Sequence, residues 1–369
     1  MTYDVSADVR LDPRVRDLLL VMPPPTAIEV VDRDELVREA ASEQGLERER
    51  LYEEFVAICD TEEAAPSTGL RFDDVEVESR PDGNRIRLQV VRPDTDATLA
   101  AVYYIHGGGM ASSSSYHGNY RAWARIVAGY GVAVVMVEFR NSISPGRVPE
   151  IAPYPAGLND CLSGLLWLRD HADRFGIEAQ CIVVAGESGG GNLALACGLA
   201  LKRRGEISTV KGIYALCPYI AGRWPDERFP SSSENNGIFL NLFGNYGAMS
   251  YGIDAFEAGD PLAWPAFATV SDVVGFPPTV ISVNECDPLR DEGIAFYRLL
   301  LRAGYRRGVA RCSVLCTASN SGSSSVPRSR TTPLATSPHL HGRRLVSQSG
   351  IAHIDSSGWS TASKLEVGR

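Results

Sequence analysis

The sequence predicts an α/β fold in which a mostly parallel central sheet has helices on both faces and a helical cap at its N-terminus. Two observations support this prediction. From about residue 100 onward, short apolar runs rich in β-branched residues alternate with segments of helical spacing. Before these runs, residues 9–20 and 33–58 have helical periodicity, and a run of prolines separates them.

Composition and charge narrow the class of protein. The 369 residues are 44% hydrophobic and 22% charged, which suits one large domain with a smaller appendage. A formal net charge of −9 argues against nucleic acid and anionic membranes, since both bind clustered Lys and Arg. The N-terminal segment lacks both a basic region leading into a long apolar stretch and a run that could span a bilayer. We therefore expect a cytoplasmic protein with a small-molecule substrate, no nucleic-acid partner and no membrane insertion.

The sheet is expected to begin at Leu70 with a hairpin. Two alternating segments, RFDDVEVES and NRIRLQVVRP, are joined at Pro81-Asp82-Gly83-Asn84, which is a strong turn signal. Five apolar runs then predict parallel strands buried on both faces. They are AVYYI (101–105), VAVVMVEFR (132–140), CIVVAGES (181–188), GIYALCPY (212–219) and PTVISVNECD (278–287).

The chain is expected to divide into an N-terminal helical cap region at 1–65, a core at 66–305 and an aberrant tail at 306–369. Residues 220–260 interrupt the strand–helix alternation with aromatics, Asn, Gly and Pro. Because ligands bind beyond the C-terminal ends of parallel strands, we predict that this insertion and the N-terminal helices form a lid. Its aromatic residues either line an acyl or lactone pocket or serve packing alone: Trp224, Phe229, Phe239, Phe243 and Tyr246.

The motif GESGGG at 186–191 directly follows an apolar strand and precedes a segment of helical character. This is the context of a GxSxG nucleophile elbow, in which glycines let strand and helix pack closely and Ser188 is presented at the helix N-terminus. Taken alone, the motif also fits an ordinary glycine-rich turn. A second motif, HGGG at 106–109, removes most of that ambiguity, because such a loop supplies oxyanion-hole donors. We predict Gly108, Gly109 and Gly189 as the donors, and His106 as a structural anchor.

A third motif, NECDPLRDEG at 284–293, places acids at the end of the last predicted strand. In this fold such an acid, following the serine in chain order, orients the catalytic histidine. Asp287 has three competitors for the role. Glu285 is one of them, while Asp291 and Glu292 are more simply explained as the first turn of the next helix, where acids favour the helix dipole.

Together, HGGG, GESGGGN, PYPAGLNDC and NECDPLRDEG resemble the hormone-sensitive-lipase-like group of esterases over roughly residues 10–305. The resemblance implies an α/β-hydrolase that cleaves a carboxylic ester, with Ser188 as nucleophile and Asp287 as acid. It further implies an oxyanion hole at Gly108, Gly109 and Gly189, a helical cap and no cofactor. No metal site is predicted, because the eight cysteines have no CxxC pairs and no histidines at metal-ligand spacing.

The tail departs from the family pattern. That family has its histidine a few tens of residues after the acid, in an apolar-His-Gly context, whereas this chain has none between His171 and His339. After about Gly304 the sequence is rich in Ser, Arg, Thr and Pro and has little periodicity, although a hydrolase needs its last strand and helix there. We predict that the tail is unstructured or frame-shifted.

A shifted reading frame would supply such a histidine for one choice of codons. With the codons CTG TGC ACG GCN for Leu315 to Ala318, reading from the third base gives Val-His-Gly, and the histidine codon straddles Cys316 and Thr317. Alternatively, His341 closes the triad from a longer loop, with His339 and His353 as weaker candidates. Without a base the chain is expected to be weakly active or inactive, which leaves a non-catalytic small-molecule-binding protein as the main rival function and a peptidase as a third.

Overall fold

A computed structural model describes residues 3–21, 25 and 30–305, together with the backbone of a strand at 309–312. An eight-stranded sheet of order β1-β2-β4-β3-β5-β6-β7-β8 forms its centre. The strands are β1 Leu70–Glu78, β2 Arg85–Pro93, β3 Leu99–Ile105, β4 Ala133–Glu138, β5 Ile177–Glu187, β6 Gly212–Leu216, β7 Thr279–Asn284 and β8 Val309–Cys312. Strands β1, β2 and β4 pair antiparallel and the other pairs are parallel, which confirms the predicted mostly parallel α/β sheet.

The helices follow the predicted alternation with the strands. They are α1 Pro13–Val21, α2 Arg33–Ala40, α3 Glu43–Ala57, α4 Gly118–Ala128, α5 Ala156–Asp170, α6 Gly189–Arg203, α7 Ser231–Glu234, α8 Tyr246–Tyr251, α9 Ile253–Glu257, α10 Val270–Val273 and α11 Arg290–Arg302. Short 3₁₀ turns lie at Val5–Ala7, Ala172–Phe175, Ile207–Thr209 and Pro265–Phe267. None of these helices, within the part of the chain described, is long and apolar enough to cross a membrane.

The predicted hairpin is confirmed. Strands β1 and β2 pair in register from Leu70 opposite Pro93 to Glu78 opposite Arg85. The Ser79 N–H donates to the Asn84 carbonyl at 2.8 Å, and Gly83 takes the left-handed conformation with φ +78°. Since only glycine adopts that conformation without strain, the turn residues read from the sequence account for the reversal of the chain.

The parallel strands are buried on both faces, as their continuous apolar runs predict. All six residues of β4 are buried. Alternate side chains of β3 point in opposite directions, so Val102 and Tyr104 pack with α4 on one face. Tyr103 and Ile105 pack on the other face in the main core, which includes residues of α5, α6 and α11. The sheet therefore lies between two layers of helices, and this packing holds the C-terminal ends of its strands in place.

Helical periodicity across 33–58 suggested one continuous helix, but the structure has two, α2 and α3, with a break at residues 41 and 42. The Ser42 side chain accepts a hydrogen bond from the Gly45 N–H at 3.1 Å and so caps α3. A β-carbon on Gly45 would lie 2.4 Å from the Ala40 carbonyl oxygen, so the corner requires glycine there. Capping chemistry at Ser42 therefore overrides the periodicity.

The N-terminal helices pack against the insertion at 220–260. Residues of α1, among them Val15, form an apolar cluster with Ile238 and with Cys286 beyond β7. Residues of α2, including Leu36, pack with Ala111 and, at the edge of the cluster, with Tyr246. These contacts bring both segments to the ends of the strands where the candidate site lies, and their role as a lid stays a prediction.

The segment after Gly304 was expected to lack a strand, and for Val309–Cys312 this expectation is wrong. These four residues pair parallel with β7, from Ile281 opposite Val309 to Asn284 opposite Cys312. The edge of β7 presents backbone groups that need partners, and four residues suffice to pair with them although they are too few to show periodicity. Residues 313–369, including His339, His341 and His353, lie outside the described part of the chain.

Candidate active site

Ser188 lies on a sharp turn between β5 and α6, as the motif predicts. Its backbone has φ +54° and ψ −117°, a conformation that costs a non-glycine residue about 1–3 kcal/mol. Three backbone hydrogen bonds hold it: the Ser188 N–H donates to Leu216 O at 2.8 Å, and the Ser188 carbonyl accepts from Asn192 and Tyr219, each at 3.0 Å. The serine is half-buried.

Backbone strain is concentrated around this turn. Four non-glycine residues of the described chain have positive φ: Met110, Ser113, Ser188 and Cys217. They follow β3, β5 and β6, three neighbouring strands whose C-terminal ends lie side by side. Strain of this kind persists only where the surroundings over-determine the backbone, and it is typical of functional sites.

The glycines of the elbow have no room for a side chain. A β-carbon on Gly186 would lie 2.2 Å from the Gly190 carbonyl oxygen, and one on Gly190 would lie 2.0 Å from the Ile105 carbonyl oxygen. Helix α6 therefore starts in direct backbone contact with the ends of β3 and β5. This contact places the positive end of the α6 dipole beside Ser188.

The HGGG loop lies against the elbow. A β-carbon on Gly189 would be 2.6 Å from the Met110 nitrogen and 2.8 Å from the Gly109 nitrogen. Gly108 and Gly109 have φ +95° and +63°, so the loop uses backbone conformations that favour glycine. The structure thus brings the predicted donors Gly109 and Gly189 together beside the serine, and Gly108, which is exposed, lies in the same loop.

Two buried side chains that the sequence motifs did not single out connect the loop to the elbow. The Gly107 N–H donates to the Tyr120 hydroxyl at 3.0 Å, and that hydroxyl donates to Glu187 Oε1 at 3.0 Å. Burial, followed by the charge of Glu187, raises the pKa of Tyr120 well above its ordinary value, so the hydroxyl keeps its proton. A charged residue between a buried strand and a glycine-rich turn was the available signal, because such a carboxylate needs a partner.

His106 is fully buried beneath the HGGG loop. Its Nδ1 lies 2.9 Å from the Gly107 carbonyl oxygen, and its ring stacks on Phe139 with centroids 4.3 Å apart. Burial lowers the pKa of this imidazole, so it is neutral. These contacts match the anchoring role expected of it.

Asp287 is completely buried beyond the end of β7. Its Oδ1 accepts a hydrogen bond from the Leu289 N–H at 2.9 Å, and its carbonyl accepts from the Asn235 side chain at 3.0 Å. The neighbouring acids Glu285 and Asp291 each bind Arg290 at 2.9 Å. Glu285 and Asp291, which compete with Asp287 for the role of the acid, are therefore both engaged in ion pairs with Arg290.

Glu292, the third competitor, is also fully buried and does more than favour the dipole of α11. Its carboxylate accepts hydrogen bonds from the N–H groups of Ile220 and Ala221, at 2.6 and 3.2 Å, and from the Trp224 indole at 2.8 Å. Burial raises the pKa of Glu292 to about 8, although the three donors oppose that rise. The residue fixes the segment that follows β6, whose Tyr219 N–H donates to the Ser188 carbonyl.

Each of the three histidines in the described residues is engaged in contacts of its own. His106 anchors the HGGG loop, and His117 faces two glutamates of α3. His171 lies at the end of α5, where its Nδ1 is 2.8 Å from the Trp167 carbonyl oxygen and its ring stacks on that indole. The candidate base His341 and the alternative position at Thr317 lie outside the described residues.

Four of the five aromatic residues that the sequence analysis named in the insertion pack against other apolar side chains. Trp224 and Phe229 are buried in the main core, and Trp224 stacks on Tyr219 with ring centroids 4.4 Å apart. Phe239 and Tyr246 pack at the edges of the clusters formed by α1 and α2. Phe243 remains more than one-third exposed. The packing alternative therefore accounts for most of these side chains.

Comparison with known proteins gives consistent matches. A family profile described as alpha/beta hydrolase fold matches residues 102–313, more than half of the chain. Esterase LipI of Mycobacterium tuberculosis is 30% identical over 227 residues, a match that covers 61% of this chain and 66% of LipI, slightly less than two thirds of its length.

Solved structures match over more of the chain. Esterase Est22 is 54% identical with a TM-score of 0.85, and the match covers 87% of this chain and 93% of Est22. Brefeldin A esterase, a bacterial homologue of human hormone-sensitive lipase, is 34% identical with a TM-score of 0.74. The match covers 86% of this chain and 88% of brefeldin A esterase. The resemblance to the hormone-sensitive-lipase-like group is thereby confirmed.

Proposed function

Because this chain belongs to the alpha/beta hydrolase fold family and is of the esterase type, we propose that it hydrolyses carboxylic esters with Ser188 as the nucleophile. The observation that carries the proposal is the contact of the HGGG loop with the elbow, in which the Gly109 nitrogen lies 2.8 Å from where a β-carbon of Gly189 would be. Backbone donors placed beside a strained serine suit acyl transfer, because they stabilise the oxyanion of a tetrahedral intermediate.

In the proposed reaction a histidine accepts the Ser188 proton as the hydroxyl oxygen attacks the ester carbonyl. The N–H groups of Gly108, Gly109 and Gly189 stabilise the resulting oxyanion, and each such donor typically lowers the barrier by about 3 kcal/mol. The histidine returns the proton to the departing alcohol, and water then hydrolyses the acyl-enzyme. Asp287 orients the histidine and stabilises its protonated form, a role supported by its complete burial.

The substrate we propose is a small hydrophobic ester or lactone. The negative net charge of the chain disfavours anionic substrates. Named esterases among the relatives support the ester class, and brefeldin A esterase supports including lactones as candidates.

We propose that the histidine belongs to the alternative reading frame at Cys316 and Thr317, with His341 as the competing source. Sequencing the gene across codons 300–369 tests the first idea, which fails if no alternative frame encodes a histidine there. If one does, a chain carrying the tail of that frame in place of residues 306–369 can be made, which we call the restored chain.

Two chains are compared in the hydrolysis of p-nitrophenyl butyrate: the restored chain and the chain with the sequence as it stands, which we call the printed chain. Ser188→Ala is made in each of them. We expect turnover by the restored chain that Ser188→Ala abolishes, and little turnover by the printed chain. Turnover by the printed chain that is lost in both Ser188→Ala and His341→Gln would instead assign the base to His341. If neither chain exceeds its Ser188→Ala counterpart, ester hydrolysis through Ser188 is contradicted.

A non-catalytic small-molecule-binding protein is the second candidate, because all three histidines of the described residues are engaged in contacts of their own. This function requires saturable binding of a hydrophobic ester with no turnover in either chain. Equilibrium binding of a fluorescent ester to the printed chain, measured beside product formation, separates the two functions.

A further inference from the structure

A cluster of potential metal ligands lies where α3 of the N-terminal region meets the start of α4. It consists of Glu49 and Glu53, one helical turn apart on α3, and His117, which directly precedes α4. One ligand atom from each residue lies within 4.8 Å of the other two. We propose that Glu49, Glu53 and His117 form a binding site for a divalent transition-metal ion, with Zn²⁺ as the best fit.

The spacing of the ligand atoms suits a metal better than a hydrogen bond. His117 Nε2 lies 3.4 Å from Glu53 Oε1 and 3.8 Å from Glu49 Oε1. Both distances exceed the usual N–H···O range of about 2.7–3.2 Å. A tetrahedral Zn²⁺ with bonds of about 2.0–2.1 Å separates its ligand atoms by about 3.4 Å. Small rotations of the two exposed carboxylates complete three corners of a tetrahedron, and water takes the fourth.

A contact of its second ring nitrogen, Nδ1, orients the His117 imidazole for metal binding through Nε2. His117 Nδ1 lies 3.2 Å from the Ser113 hydroxyl, and the His117 side chain is only 6% exposed. When Nδ1–H donates to Ser113, the Nε2 lone pair faces the two carboxylates. A metal-bound histidine typically has such a partner on its second nitrogen, which fixes the tautomer and the ring orientation. The edge of the Tyr52 ring, 5.7 Å from the imidazole between centroids, further restricts it.

Charge also favours a cation at this position. Two carboxylates, with the imidazole ligating through the lone pair of Nε2, offer a net charge of −2, which one divalent ion neutralises. The carboxylates are exposed at 41% and 60%, so an ion can reach the cluster from solvent, while the imidazole closes the inner side.

Such an ion would join α3 of the cap region to the core. The two helices already approach closely, since a β-carbon on Gly118 would lie 2.7 Å from the Ala57 Cα. Through Ser113 the site also reaches the loop that carries HGGG. The expected effect is a stabilised cap, and the inference does not depend on the proposed hydrolysis.

Calorimetric titration of the untagged, metal-free full chain with ZnCl₂ tests the site. We expect one high-affinity equivalent, and a tetrahedral d–d spectrum when CoCl₂ is used as the probe. Glu53→Gln and His117→Gln should each weaken Zn²⁺ binding about 100-fold or more, and Ser113→Ala, which removes only the orienting partner, about 10-fold. Zn²⁺ should raise the Tm of the wild-type chain and leave that of His117→Gln unchanged.

Two control variants make the result specific. Glu54→Gln removes a neighbouring carboxylate of α3 that pairs with Arg50 instead, and should leave the Kd for Zn²⁺ unchanged. A His339→Gln, His341→Gln double variant removes the closely spaced histidines of the tail and should also leave it unchanged. Absence of Zn²⁺ binding, or the same Kd in wild type, Glu53→Gln and His117→Gln, would overturn the proposal, as would equal losses in Glu53→Gln and Glu54→Gln.

Discussion

The nucleophile side of the candidate site is held mainly by contacts between main-chain atoms, whereas its acid side is built from buried side chains. On the nucleophile side, main-chain hydrogen bonds hold the turn at Ser188, the elbow glycines lie in direct main-chain contact, and the Tyr120 side chain adds a bridge to Gly107. On the acid side, the buried Glu292 carboxylate accepts from donors 68 to 72 positions away. The buried Asp287 carboxylate accepts from the nearby Leu289 N–H, and the distant Asn235 side chain donates to the Asp287 carbonyl. Main-chain geometry follows from local sequence and sheet topology, while buried charges depend on partners that only folding brings together.

The same difference explains why the two sides tolerate change differently. Glycine is required at Gly186, Gly189 and Gly190 because a β-carbon at any of these positions would meet main-chain atoms that cannot move independently. On the acid side, each buried carboxylate oxygen needs a hydrogen-bond donor, and several segments of the chain supply these donors. The four predictions below test this contrast, from the largest expected effect to the smallest.

The largest effect is expected on kcat in the restored chain. Ser188→Ala removes the proposed nucleophile and should lower kcat about 10⁶-fold. Asp287→Asn should lower kcat about 10⁴-fold, because in the proposed reaction serine and base act as a unit that the acid only orients. Steady-state hydrolysis of p-nitrophenyl butyrate measures both losses. Glu285→Gln is the matched control, and a loss equal to that of Asp287→Asn would contradict the assignment of Asp287.

The elbow glycines should differ sharply in their effect on the free energy of unfolding. Gly190→Ala places a β-carbon 2.0 Å from the Ile105 carbonyl oxygen and should cost about 3 kcal/mol. Gly109→Ala meets nothing closer than 3.9 Å and should cost only about 1 kcal/mol for its left-handed backbone. Urea denaturation of the full chain measures both, and equal costs would show that the main-chain contact does not set the requirement.

Tyr120→Phe should destabilise the chain by about 2 kcal/mol, because it leaves the buried Gly107 N–H without its acceptor and Glu187 without one donor. Urea denaturation again provides the measurement. Tyr130→Phe is the matched control, since that ring is 67% exposed, and its cost should be near zero. A Tyr120→Phe variant as stable as this control would mean that the bridge between loop and elbow is unimportant for stability.

The smallest effect, counted per pH unit, is expected on the pH dependence of the free energy of unfolding. Burial raises the pKa of Glu292 from 4.5 to about 8, so between these values the folded chain keeps a proton that the unfolded chain has released. The free energy of unfolding should therefore fall as pH rises across this window, by at most about 1.4 kcal/mol per pH unit from this group.

Glu292→Gln removes the titrating group and should flatten that slope. Because the glutamine NH2 group would face the Trp224 N–H donor, the variant should also be less stable than wild type at every pH. Urea denaturation at several pH values between about 5 and 8 measures the slope. Glu257→Gln, at an exposed position of α9, is the control and should keep the wild-type slope. An unchanged slope in Glu292→Gln would refute the assignment.

Much of the sheet was predictable from sequence because its signals are local. The hairpin at Gly83 and the buried strand β4 follow from turn residues and continuous apolar runs. The corner at Ser42 and the strand β8 were missed for opposite reasons: a capping side chain interrupts a clear periodicity in the first, and in the second an available sheet edge pairs residues too few to show any.

What the sequence by itself determined is the position of Ser188 and the glycine loop, because a strand–turn–helix with backbone donors needs only neighbouring residues of the right kind. Tertiary structure alone decided the partners of Tyr120, Glu187 and Glu292. The hydrogen bond between Tyr120 and Glu187 and the three to Glu292 join residues 67 to 72 positions apart. A buried carboxylate must find donors, but no local pattern specifies which distant segment supplies them, so folding selects them through packing.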